Sequence, residues 1–332
     1  MIRNKRKIFI LILFIIFLLA LYIAIFAGYN DNGIGMFVKT LNLSDNDSDS
    51  IILKLLRYPR ALKSIIAGSC LALAGLFMQS VSKNPLAEPY ITGVSSGAGL
   101  GIVISVLYFN SSNYSLFGFA GALISSLAVI CFAGLNRFSI TKLILTGLAV
   151  NLFAGSLISL FILTNPQKAQ SILFILSGGF NSSNIISDKT LFFIFILGII
   201  ISCYFIPKLN FMRIDNGILS SFKKEKDIYT LSAIIISAFL TSLSVFAAGI
   251  LGFIGIIIPQ ITKMFIGNDY RYLFFANILA GASLVLFSDY LSRVLFYPLQ
   301  IPLGLVIAIT GAPVFVFFLT KKGDIFSSYD RN

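Results

Sequence analysis

Apolar runs long enough to cross a bilayer recur along this chain, and they limit its fold more than any other feature. Ile8 to Ala27, Phe192 to Ile206 and Leu231 to Ile258 are nearly unbroken. A spanning helix needs about 20 mostly apolar residues. In lipid only helices and closed barrels satisfy the backbone. The runs lack the alternation of a barrel strand, so the expected fold is an all-α polytopic membrane protein. Composition agrees. Of 332 residues, 57% are hydrophobic and 11% charged, against roughly 25% charged in soluble domains.

The runs place ten spans at about 8–27, 60–80, 92–109, 115–134, 142–163, 190–207, 228–249, 250–266, 273–292 and 301–320. Arg3-Asn4-Lys5-Arg6-Lys7 before the first run mimics a signal peptide, but the run is too long and no A-x-A site follows. Ten spans put both termini in the cytoplasm. Eight basic residues then fall outside (Lys39, Lys54, Arg57, Arg60, Lys63, Lys168, Lys189, Arg293), and the other 17 of 25 fall inside. That is the positive-inside bias. It explains the net charge of +12 through inner loops facing anionic lipid, not nucleic acid. It also isolates Arg57, Arg60 and Arg293 as outer arginines in need of a reason, for which an acidic docking partner and snorkelling to lipid phosphates compete.

There is no histidine, so zinc centres, haem ligation by His and Ser-His-Asp catalysis are disfavoured. Cys70, Cys131 and Cys203 lie in apolar runs and read as small packing residues. No cofactor is expected. Small residues recur at spacing four (Gly68 and Ala72, Gly97 and Gly101, Ala248 and Gly252, and Gly304, Ala308 and Ala312), which suits closely packed helices. The segment 28–56 contains a polar loop, 164–189 has room for a short surface helix, and the longest inner loop is 208–227.

Three stretches are more specific. In Arg57-Tyr58-Pro59-Arg60, Pro59 fits a first helical turn. Asn84-Pro85-Leu86-Ala87-Glu88-Pro89, followed by Gly93-Val94-Ser95-Ser96-Gly97, reads as a broken inner connection with Asn84 as N-cap. Gly252-Phe253-Ile254-Gly255 to Pro259-Gln260 implies a kinked or short span; Asp289 to Arg293 and Pro302 to Pro313 follow it.

In this order the stretches resemble the permease family of type II ABC importers for iron–siderophore complexes, haem and vitamin B12, over residues 8 to 322. The resemblance implies a single permease domain over 1–332, a ten-helix bundle in which spans two to five and seven to ten form an inverted repeat, and a pathway built from two copies. It implies a bacterial cytoplasmic (inner) membrane location. Its partners would be ABC ATPase subunits, a substrate-binding protein, a second copy or paralogue, and membrane lipid. Arg57, Arg60 and Arg293 would pair with glutamates of the binding protein. The ATPase would be met by a cytoplasmic coupling loop including Leu209, Asn210, Phe211, Met212, Arg213, Asn216, Leu219, Phe222 and Lys223. This loop departs from the family's L-G-E-x-x-A-x-x-L-G, and Pro259-Gln260-x-x-Lys263 stands where P-H-x-x-R is usual. The chain lacks G-x-x-x-x-G-K-[ST], so ATP hydrolysis would belong to a separate subunit. The expected substrate is a ferric siderophore, with haem and vitamin B12 as alternatives. An ion-coupled secondary transporter is the competing class. It would keep ionisable residues at mid-membrane, where Asp289 is the main exception and a local pair with Arg293 its plain explanation. A membrane-embedded enzyme would need a catalytic cluster, and a channel would need polar rings or a filter sequence.

Overall fold

The computed structural model describes residues 2–27, 51–109, 113–134, 139–180, 187–212 and 223–321. Among them there are eleven α-helices and no strand. They are α1 (Ile2–Phe26), α2 (Tyr58–Ser82), α3 (Val94–Ile104), α4 (Tyr114–Ala133), α5 (Ile140–Thr164), α6 (Pro166–Leu176), α7 (Asp188–Met212), α8 (Lys223–Ala248), α9 (Ile254–Ile266), α10 (Tyr270–Val294) and α11 (Leu303–Lys321). Seven are long and apolar enough to cross a membrane: α1, α2, α4, α5, α7, α8 and α10. Val94–Phe109, Ile254–Ile266 and Leu303–Val316 are shorter apolar helices at the three remaining expected spans. The short α6 lies in the segment that had room for a surface helix.

α2 is the axis of the bundle. Its apolar window is 89% buried, against 17% for α1 and α5. It packs on α7, α8, α9 and α10, while α3 packs on α4 and α5. Glycines let the central helices touch. A Cβ on Gly68 would run into the carbonyl of Gly281 on α10, and one on Gly75 into that of Gly255 on α9. Such close approach supplies the van der Waals contact that holds helices together in lipid. Ala248 and Gly252 do not share a helix, because α8 ends at Ala248. Cys70 is buried, but Cys131 and Cys203 are exposed on the sides of the bundle, which corrects their reading as packing residues.

The α2–α5 and α8–α11 halves share one plan. A long helix ends, a connection with no α-helix turns back into the bundle, and a half-length helix leaves from its interior. The first connection closes on Gly93, φ 77°, ahead of α3; the second closes on Phe253, φ 68°, ahead of α9. Asn84 does not cap a helix as expected. Its Oδ1 accepts from the Leu86 N–H at 2.9 Å in a tight turn. Glu88 is extended, and a 3₁₀ turn follows over Pro89–Thr92. The helical run of α2 also begins before Arg57-Tyr58-Pro59-Arg60, with a π-helical turn at Leu53–Arg57. The wider turn accommodates a proline that has no N–H to donate.

Candidate functional site

The three outer arginines meet at one end of the bundle, although Arg293 lies more than 230 residues from the other two. Arg57 and Arg60 sit one turn apart at the start of α2, and Arg293 sits in the last turn of α10. Between them ends α1, whose last carbonyls have no partner within their own helix. Arg57 Nη1 donates to the carbonyls of Ile25 (2.9 Å) and Phe26 (3.2 Å), and Arg293 Nη2 donates to that of Ala24 (2.9 Å). Cations at a helix C-terminus also offset its dipole. These two arginines therefore fasten α1 to α2 and α10.

Asp289, 2% exposed, is the counter-charge. Arg293 Nε lies 3.2 Å from its Oδ2, one helical turn along α10, and Arg60 Nε lies 3.5 Å from its Oδ1 across the helix interface. The ionisable residue in span nine is thus held in a local ion pair. Arg60 also approaches Gln300 Oε1 at 3.5 Å and lies over the ring of Phe180 at 5.9 Å. Arg60, Phe180, Asp289 and Gln300 border a narrow cleft with about 10 Å³ of free space, room for about one water. One turn further along α2, Lys63 pairs with Asp188 at 3.8 Å.

The two connections meet inside the bundle. The Tyr90 hydroxyl donates to the Leu251 carbonyl at 3.0 Å and accepts from the Leu251 N–H at 3.1 Å. Glu88 Oε1 accepts from the Phe253 N–H at 3.2 Å, placing a carboxylate at the start of α9. A left-handed non-glycine residue costs about 1–2 kcal/mol, and this bond holds Phe253 in that conformation. Nearer the end of the bundle remote from the arginines, Gln260 donates to the Pro85 carbonyl (2.8 Å) and to Gln79 Oε1 (2.9 Å). Lys263 Nζ donates to the same Gln79 oxygen at 2.8 Å. Gln79 in turn donates to the carbonyls of Gly255 and Ile256, both at 3.3 Å. Asn84 to Pro89, the expected broken connection, thus lie as a strap across α9.

Tyr90 carries this joint without having been singled out by the sequence, whereas Phe253 and Gln79 lay in motif stretches with no role of their own assigned. Gln79 gave one signal: a buried amide at the end of an apolar run must find partners. Of the proposed ATPase contacts, Leu209 to Met212 form the last turn of α7 instead of a loop. Leu209 and Met212 point into the core, Asn210 accepts from the Tyr270 N–H at 3.4 Å, and Phe211 meets the edge of Tyr229. Arg213, Asn216, Leu219 and Phe222 lie outside the described residues. Lys223 opens α8, and its side chain is likewise outside them.

Comparison with known proteins gives a consistent answer. The FecCD transport family matches residues 13–321. The chain is 31% identical over 322 residues to the Fe(3+)-citrate import system permease protein YfmD of Bacillus subtilis, with 96% of each chain covered. It is 32% identical over 330 residues to the protein named Probable heme-iron transport system permease protein IsdF of Staphylococcus aureus (strain Newman), covering 97% of this chain and 98% of that one. An inward-facing structure assigned to the metal-chelate type of ABC transporter superposes with a TM-score of 0.80 at 25% identity, covering 95% of this chain and 99% of the other. With its helix plan and its end-to-end match, this chain belongs to the FecCD transport family.

Proposed function

We propose that the chain is the membrane permease of an ATP-driven importer for an iron chelate of the ferric siderophore class. The observation that carries this reading is the full-length likeness to iron-chelate permeases together with the 0.80 superposition on an ABC transporter. A second copy or a paralogue completes the pathway, separate ATPase subunits supply the energy, and a substrate-binding protein delivers the chelate. The arginine end faces outward and receives that protein; both termini lie in the cytoplasm of a bacterium. The ATPase docks on the segment from the end of α7 to the start of α8. The interlocked connections then carry its motion to both halves of the bundle, and access to the pathway switches from one side to the other. Haem is the second reading, favoured by the likeness to IsdF.

The test is uptake into proteoliposomes containing the permease and its ATPase, with candidate binding proteins loaded with ferric citrate, a ferric hydroxamate or haem. ATP-dependent uptake of one ferric chelate supports the reading, and uptake of haem alone moves the substrate to the second one. Uptake that needs neither ATP nor a binding protein refutes both and restores the ion-coupled class.

A further inference from the structure

Pro259 stands inside α9, yet the helix runs on through it from Ile254 to Ile266. A proline within a helix has no N–H to give, and its ring presses on the carbonyl four residues back. In α9 that carbonyl belongs to Gly255. Within a membrane a group freed in this way is served by a neighbouring helix. Here the neighbour is α2. The buried Gln79 amide donates through Nε2 to the carbonyls of Gly255 and Ile256, both at 3.3 Å. The same amide reaches past the proline. Its Oε1 accepts from Gln260 Nε2 at 2.9 Å and from Lys263 Nζ at 2.8 Å. Nitrogen thus holds the turn before Pro259, and oxygen holds the turn after it. Gly75 lies one turn earlier on α2 with no side chain between it and Gly255, which lets Gln79 come this close.

We propose that Gln79 is a splint across the proline break of α9, a positioning residue that keeps the two halves of this helix in line. Motion entering at the end remote from the arginines then reaches the interior connections instead of being lost as bending at Pro259. For its role in transport the proposal rests on the importer reading and deepens it. Sharp helix kinks form at prolines. The helix at risk is the one that starts beside Phe253, where Glu88 ties the two halves of the bundle. Gln260 also donates to the Pro85 carbonyl at 2.8 Å, so the strap is joined to the same splint. An amide suits this place because it offers donors and an acceptor at once. A carboxylate of the same length would supply only the acceptor, and a hydrocarbon chain neither.

The first arm uses the permease alone in detergent. Pro259→Ala returns an N–H to the Gly255 carbonyl and so replaces the donor half of Gln79. Gln79→Met, of similar length and without an amide, should lower the midpoint of thermal unfolding by several degrees. With Pro259→Ala present the fall should be roughly half as large or less, the non-additivity of residues that share one function. Equal falls in the two backgrounds overturn the proposal. Should Gln79→Met fail to fold, Gln79→Glu keeps the acceptor towards Gln260 and Lys263, removes the donors and goes through the same comparison. The second arm is uptake per ATP hydrolysed in proteoliposomes, a ratio that the amount of folded protein does not move. Gln79→Met should lower it roughly three- to tenfold, the factor set by the net worth of about one buried hydrogen bond. Pro259→Ala should restore most of it. An unchanged ratio, or a loss that Pro259→Ala leaves in place, overturns the positioning role while the importer reading stands. Uptake that needs no ATP overturns the importer reading and the role in transport with it, and the first arm alone then decides the splint.

Discussion

Tyr90 and Leu251 are joined by two hydrogen bonds through one hydroxyl, which gives its proton to the carbonyl and takes the N–H. Leu251 thereby pairs both backbone groups outside any helix, inside a bundle where water is scarce. Tyr90→Phe keeps the ring and strands both groups. Each buried orphan costs about 1–3 kcal/mol, so the midpoint of thermal unfolding in detergent should fall by several degrees. Uptake should fall with it. A variant as stable as the wild type would show that the joint is not held by these bonds.

Glu88 offers a sharper pair of substitutions. Its Oε1 caps the Phe253 N–H at the start of α9. Glutamine keeps an acceptor of the same reach, whereas alanine removes it. Loss of an N-terminal cap costs about 1 kcal/mol. Glu88→Gln should therefore retain most of the stability and uptake, and Glu88→Ala should lose part of both. If the two behave alike in thermal unfolding, the bond to Phe253 has no role.

Gly75 faces Gly255 so closely that a methyl group on it would overlap backbone, which cannot swing aside. Overpacking of this kind costs about 1–3 kcal/mol or more. Gly75→Ala should lower the yield of monodisperse protein on size-exclusion chromatography. Gly155→Ala, where a Cβ meets nothing within 4 Å, should leave that yield unchanged.

Arg293→Gln removes both the Asp289 pair and the tie to Ala24. Breaking one side of a buried pair costs about 3–5 kcal/mol. Loss of folded protein is expected, measured as the fraction surviving detergent extraction. Arg60→Gln should survive that extraction, because its contacts are longer and more exposed. The reverse order would mean that Arg60, not Arg293, fastens the helices.

Much of the architecture was legible in the order of residues. The apolar runs located the spans because lipid admits little else, and the scarcity of outer arginines drew attention to Arg57, Arg60 and Arg293. Asn84, Pro85 and Pro89 read as a break for the same local reason: prolines and a turn-forming asparagine interrupt a helix. Local signals misplaced what followed. Asn84 looked like a helix cap but closes a turn, since Glu88 is drawn out to reach Phe253, 165 residues away. Leu209 to Met212 looked like loop but continue α7, because Leu209 and Met212 have core to bury against.

The sequence by itself determined the class and, among the described residues, where the apolar helices run, because hydropathy and backbone chemistry act over neighbouring positions. Only the tertiary structure decided what each charge does. It took the packing of α1 against α2 and α10 to give Arg57 and Arg293 carbonyls to hold. The same packing set Asp289 between two arginines. It also brought Tyr90 to Leu251 across the repeat. A partner more than 100 residues distant leaves no local trace, since a charge or a hydroxyl is the same residue whether it meets solvent, lipid or another helix.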